Sequence, residues 1–295
     1  MRDIKGRTML FQVIVNGLLQ GGLYACIGVT FSIVFGIMRI INLAQGTQII
    51  LGAYVTIAVS QALGMDPFLT LPLSAVVLFI LGYITQKYLI NMVAKGGLVI
   101  TSLLTFGVNL ILINIILLIW KADFRGTNAW YMAMSFEFAG ATISYVRLAT
   151  FGIALLLTVL LELFFRKTKS GNAIRATALN PRAAQLMGID IAGTYALTFA
   201  ISSGLGGAMG TLFVLTKPVS PFIGGDLLVI LFSVAVLGGL GSIPGAMLAG
   251  VVLGLVESFS TMFFGIAFEK VALNMVYLLV LIFFPMGLMG KRFYG

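Results

Sequence analysis

The chain has 295 residues, 60% of them hydrophobic and 9% charged, with a formal net charge of +9 and no histidine. A soluble chain of this length carries about 25% charged residues, so the composition excludes a soluble fold and points to a membrane protein, whose basic excess reads as the positive bias of cytoplasmic loops and not as nucleic-acid binding. Without histidine there is no His-ligated metal and no imidazole base, and the single Cys26 excludes a disulfide framework.

In chain order, apolar runs approaching the roughly 20 residues of a spanning helix fall at 10–38, 49–63, 69–92, 99–120, 148–165, 195–215, 227–240, 246–264 and 271–289; two of them, 49–63 and 227–240, are short. The runs are too continuous for the alternation of an outer-membrane barrel, and the first lacks a small-residue cleavage site. The expected fold is an all-α polytopic bundle of about 8 transmembrane helices, some broken or half-length, forming one domain over 1–295.

Orientation follows from the loops. Residues 166–191 carry Arg166, Lys167, Lys169, Arg175 and Arg182 against the single acid Asp190, which predicts a cytoplasmic loop. Lys217–Asp226 is then outside, and Lys291 and Arg292 place the C-terminus in the cytoplasm. Counting backwards, 121–147 lies outside, 87–95 inside and 63–67 outside. Arg2, Lys5 and Arg7 predict an N-terminus inside, so 8–62 should cross an odd number of times. It reads as two runs split near Arg39–Asn42, leaving open a half-helix pair or three tight crossings.

Within these spans several polar groups stand out. Asn42, Gln45 and Gln48 recur every three residues, on one face of a helix. Amides at membrane depth are costly unless they meet partners or water, so they read either as one wall of a translocation path, with unwound backbone near Gly46, or as interhelical ties. Glu257, within a turn of Ser260 and Thr261, is an intramembrane carboxylate that is either functional or held by hydroxyls or a neighbouring helix. Glu162 precedes Arg166 by four residues, which predicts a helical ion pair. Glycines at four-residue spacing (17/21, 206/210, 241/245, 250/254) predict close helix packing. Gln45–Tyr54 and Pro244–Leu253 echo one another as glycine-opened segments after a break.

The loop itself predicts two short helices. Ser170 reads as a cap for the first, Asn180 as the cap and Pro181 as the first turn of the second, and Gly188 as its stop. Ala176, Ala178, Ala183, Ala184, Leu186 and Met187 give an apolar face rimmed by arginine, the composition of a docking surface. No ATP site is present: 287–291 (GLMGK) is too short and Arg292 stands where Ser or Thr belongs. Residues 238–245 lack dinucleotide spacing, and no nucleophile, base and oxyanion set assembles. The chain is not read as an enzyme.

Three blocks carry a family resemblance: 16–54 (NGLLQGGLYACIGVTFSIVFGIMRIINLAQGTQIILGAY), 171–199 (GNAIRATALNPRAAQLMGIDIAGTYALTF) and 236–257 (VLGGLGSIPGAMLAGVVLGLVE). They resemble, in order and across most of the chain, the LivH-type permease subunits of branched-chain amino acid ABC importers. The resemblance implies a fold similar to the larger-bundle importers, like that for vitamin B12. It implies alternating access driven by two cytoplasmic ATPases that hold the ATP and Mg, a second related permease, a periplasmic solute-binding protein, and residence in the bacterial inner membrane.

By position, Arg175, Ala176, Asn180, Pro181, Ala183, Ala184, Met187 and Gly188 correspond to the segment seated on the ATPase. Asn42, Gln45, Gly46, Gln48 and Glu257 are the expected path residues. Relatives usually read Asn-Phe-Ala-His-Gly where this chain has Asn42-Leu43-Ala44-Gln45-Gly46, which leaves urea, short amides and other small polar solutes as alternative cargo. From the residues alone, an ion-coupled transporter relying on Glu257, or a passive amide or urea channel, stays open.

Overall fold

A computed structural model of the chain describes residues 2–283 and 287–289; Lys291 and Arg292, expected in the cytoplasm, lie outside the described residues. In chain order the helices are α1 (Arg2–Met38), α2 (Gln45–Leu63), α3 (Leu71–Ile84), α4 (Asn91–Val93), α5 (Gly97–Trp120), α6 (Tyr145–Lys167), α7 (Lys169–Leu179), α8 (Pro181–Leu186), α9 (Ile191–Thr216), α10 (Ile223–Gly238), α11 (Ile243–Phe264) and α12 (Glu269–Phe283). A two-stranded hairpin, β1 (Ser135–Phe138) and β2 (Ala141–Ser144), precedes α6. Eight helical segments among the described residues are long and apolar enough to cross a membrane, and α10 is a shorter apolar helix. The chain is an all-α polytopic membrane protein.

It divides into two compact units. One comprises residues up to Val29, Asn128–Leu156 and from Ile230 onward; the other is Thr30–Thr127 with Leu157–Val229. α1, α6 and α10 each run through a boundary.

In the first unit α1 and α11 pack antiparallel on glycine. A Cβ on Gly17 would stand 2.9 Å from Leu255 Cα, one on Gly21 2.7 Å from Val251 Cα, and one on Gly250 or Gly254 would strike the backbone of Ala25 or Gly21. Ser258 Oγ donates to the Val13 carbonyl at 2.7 Å. In lipid no hydrophobic force draws helices together, so such close backbone approach supplies the packing. At the N-terminal end of α1, Gln12 donates to the Thr142 carbonyl (2.9 Å) and accepts from its N–H (2.6 Å), grafting α1 onto β2.

Residues 8–62 form two helices, α1 and α2, parted by the non-helical run 39–44, so three tight crossings do not form there.

In the second unit α9 is the central post. α2 runs parallel to it and α3 antiparallel. Cβ atoms on Gly52 and Gly207 would lie 2.6 Å from Gly207 Cα and from Ser74 O. Ser74 Oγ ties all three helices, donating to the carbonyls of Gly52 (3.0 Å) and Gly207 (2.9 Å), and the Thr56 and Thr211 hydroxyls share a bond of 2.7 Å. Because Gly207 meets backbone on two sides, Gly207→Leu should overpack the seam and cost about 3 kcal/mol or more. The check is a large drop in the Tm of the detergent-solubilised protein, with Gly225→Ala, where a Cβ meets nothing within 4 Å, as the neutral control.

The basic loop forms as read, with one shift. α7 begins at Lys169 and its cap is Thr168, whose hydroxyl accepts from Gly171 N–H at 2.9 Å; Ser170 already lies inside the helix. Asn180 caps α8 by accepting from Ala183 N–H (3.1 Å), Pro181 opens it, and Gly188 at φ +84° stops it while Ile189 N–H returns to the Ala184 carbonyl. Arg166 Nε donates to Glu162 at 2.6 Å, as the spacing predicts.

Candidate functional site

The polar site grows out of the break between α1 and α2. α1 stops where Arg39 adopts φ +53°, a conformation that costs a non-glycine residue about 1 kcal/mol or more. Residues 39–44 then run without helix until α2 opens at Gln45. Ser202, which neighbours Gln45, lies eleven residues past the start of α9, about 16 Å along it, so α2 begins inside the bilayer.

Asn42 organises the break. Its Oδ1 accepts the Ala44 N–H at 3.1 Å, and its Nδ2 donates to both Gln45 Oε1 (2.8 Å) and Gln48 Oε1 (3.1 Å). From α9, the hydroxyls of Ser202 and Ser203 reach the same two oxygens at 3.5 and 3.3 Å, and Ser202 also donates to the Thr30 carbonyl at 2.7 Å. α5 straps the other side. Thr105 accepts from Leu43 N–H (3.2 Å) and donates to the Ile41 carbonyl (3.0 Å), while Thr47 donates to Asn109 Oδ1 at 2.6 Å. Asn42, Gln45 and Gln48 are at most 1% exposed.

Gly46 is there because α10 crosses: its hydrogen faces the Gly224 carbonyl too closely for any side chain, and a Cβ on Gly224 would lie 3.0 Å from Thr47 N. Val219 pairs with Arg125 through two backbone bonds of 2.8 and 2.7 Å, and five residues later the chain is packed on the buried start of α2.

The structure thus brings Asn42, Gln45, Gly46 and Gln48 into one cluster. Glu257 belongs to the other unit, 6% exposed on α11. Its carboxylate is hydrogen-bonded by Tyr24 of α1. Thr261, expected to hold that carboxylate, donates to the Glu257 main-chain carbonyl, and Ser260 to the Phe268 carbonyl. Ser202, Ser203, Thr105 and Asn109 were missed; the available signal was a serine pair and an amide inside otherwise apolar runs.

On the loop, Arg175, Asn180, Pro181, Ala183, Met187 and Gly188 are exposed, Ala176 is half-buried, and Ala184 is buried. Leu179 and Leu186 are each 88% exposed and Met187 83%, three large apolar side chains on a charged, capped pair of helices.

A family model described as branched-chain amino acid transport system / permease component matches residues 13–285. The permease protein BraD of the high-affinity branched-chain amino acid transport system of Pseudomonas aeruginosa is 31% identical over 294 residues, 95% of each chain. The corresponding LivH of Salmonella typhimurium is 29% identical over 296 residues, again 95% of each. A probable branched-chain amino acid permease LivH of Methanocaldococcus jannaschii is 27% identical over 98% of this chain and 94% of its own. A solved chain of PsaBC from Streptococcus pneumoniae, in complex with a Fab, covers 92% of this chain and 91% of its own at 14% identity, with a TM-score of 0.49, below the level at which a common fold follows.

Proposed function

This chain belongs to the family of permease components of branched-chain amino acid transport systems, and from that premise we propose that it forms half of the membrane path of an ATP-driven importer of branched-chain or closely related amino acids. Hydrolysis of ATP, with Mg, takes place on two separate cytoplasmic ATPases. A second, related permease completes the path, and a periplasmic binding protein delivers the solute. The complex resides in the cytoplasmic membrane with α7, α8 and the C-terminus inside and residues 121–147 outside.

The observation that carries this reading is the match with BraD over 95% of both chains. The exposed α7–α8 tip supports it as the surface the ATPase grips. Closure of the ATPases rocks this tip, and the break at 39–48, where α2 starts mid-bilayer, is the element that changes facing. Asn42, Gln45, Gly46 and Gln48 serve the path in that motion.

The test is reconstitution with the adjacent ATPases, second permease and binding protein in proteoliposomes. Leucine uptake against its gradient, dependent on ATP, is expected; uptake driven by a proton gradient without ATPases, or uptake that only equilibrates, sinks the reading. Urea and short amides as competitors fix the cargo class. Glu257, in the first unit, is the further path residue in this reading. Glu257→Gln keeps an acceptor for Tyr24 and is expected to lower uptake roughly tenfold without lowering Tm; unchanged uptake makes it a packing residue.

A further inference from the structure

The amide cluster is one-sided, and its direction is fixed by the backbone. Ala44 N–H can only donate, so the atom of Asn42 facing it at 3.1 Å is the acceptor Oδ1. Nδ2 then faces both glutamines, and both must answer with Oε1. Ser202 and Ser203 add hydroxyls on those same oxygens. The consequence falls on the two Nε2 groups. They carry four N–H bonds, are buried, and meet no hydrogen-bond partner among the described residues. Buried amide donors in native proteins are almost always satisfied.

The helix ends around them are positive, with Asp226 an acid in the first turn of α10. α2 starts at this point with no side-chain hydrogen bond from its N-cap residue Ala44, so its positive end and first-turn N–H groups lie in the membrane interior. The first turn of α10 packs directly on it, Gly224 against Gly46 and Thr47, bringing a second helix N-terminus to the same place. The nearest hydroxyl, Thr47, is committed to Asn109 Oδ1. Gly206 on α9 lies close against Gln45: a Cβ there would stand 3.2 Å from Nε2.

Donors and positive helix ends gathered in one buried place, with the local carbonyls already taken, fit an anionic acceptor. We propose that the Gln45 and Gln48 amides, at the meeting of the α2 and α10 N-termini, form a carboxylate site that receives the α-carboxylate of the amino acid in passage. This rests on the importer reading and names the group of the substrate that the break recognises. Ser202 and Ser203 close the site on the α9 side, so the carboxylate enters when α2 and α9 part.

The experiment measures binding of radiolabelled leucine, at millimolar concentration, to the purified assembled transporter without its binding protein. 4-Methylpentanoate keeps the carboxylate and lacks the ammonium; 3-methylbutylamine does the reverse. The acid is expected to displace leucine and the amine is not. Gln45→Met with Gln48→Met, which keeps volume and removes the donors, should weaken leucine and acid binding about tenfold or more. Gly206→Ala, whose Cβ presses on Gln45 Nε2 while both amides stay in place, guards against misfolding of the double variant and should weaken both in the same direction.

Displacement by the amine and not the acid overturns the proposal. So does leucine affinity that both variants leave unchanged, or displacement of leucine by chloride as effectively as by the acid, which would mark an inorganic-anion site. The importer reading fails separately, if wild-type transporter with binding protein and ATP moves no branched-chain amino acid; acid binding by the same preparation would still decide the carboxylate site.

Discussion

Leu186→Glu combined with Met187→Glu should abolish ATP-driven uptake while leaving the permease folded. Both side chains are more than four-fifths exposed, so they contribute little to the fold, and α8 keeps its Asn180 cap and Gly188 stop. Large apolar side chains grouped on a charged loop are the composition of a patch that a partner covers. Anchors of that kind at an interface are each worth about 2 kcal/mol, and two together amount to roughly a thousandfold in affinity. A carboxylate forced into the apolar cleft adds a desolvation penalty.

The readouts separate cleanly. ATPase co-purification and uptake should both fall to background while the Tm of the isolated permease stays put. Retained co-purification with normal uptake would place the docking surface elsewhere. Ala184, by contrast, is a poor probe of docking. It is 5% exposed under α8, so Ala184→Trp would break the loop's own packing and lose the ATPase for the wrong reason.

That loop was the most legible part of the chain because its signals are local. A Pro-opened helix with Asn180 before it and Gly188 after it is written within nine residues, and Glu162 with Arg166 within five. The spans were legible for a similar reason: apolarity is a property of each segment by itself. Pairing is not. Nothing near Gly17 says that it meets Leu255, and nothing near Ser74 says that it ties Gly52 to Gly207. These contacts join residues far apart in sequence through small side chains with no directional signature.

The break was half legible. Its amides announced a polar feature, but α1 ends at Arg39 without a proline or glycine to mark the stop, and the opposing serines of α9 look like ordinary members of an apolar helix. The pairing of Gln12 with Thr142 is hidden for the same reason: it joins residues 130 apart in sequence.

The second large effect is expected at Asn42, where one side chain serves three bonds. Asn42→Ala removes the acceptor for Ala44 N–H and the donor shared by Gln45 and Gln48. The weakly placed serines, at 3.3 and 3.5 Å, are then the only donors left on those oxygens. Leaving a buried polar group short costs about 1–3 kcal/mol each, whereas hydrogen bonds between membrane helices average only about 0.6 kcal/mol because the unfolded chain in lipid also finds partners. The first figure governs here, since Asn42 bonds within its own break and not across a pair of helices. A loss of about 3 kcal/mol follows, with transport falling as the break loses its shape.

Asn42→Asp tests the direction of the clamp. It preserves shape and the Ala44 bond, but turns a carboxylate oxygen toward two carbonyl oxygens, so near neutral pH it should be worse than alanine. Burial and those facing oxygens raise the carboxyl's pKa in the folded state. The folded protein then binds the proton more tightly than the unfolded chain, so stability rises as pH falls through the folded-state pKa, where the acid O–H can donate to one glutamine. Tm measured across pH 5–8 should therefore climb on acidification for Asn42→Asp and stay flat for Asn42→Ala. Equal, pH-independent losses in the two variants would mean that Asn42 fills space and does not set which way the glutamine amides face.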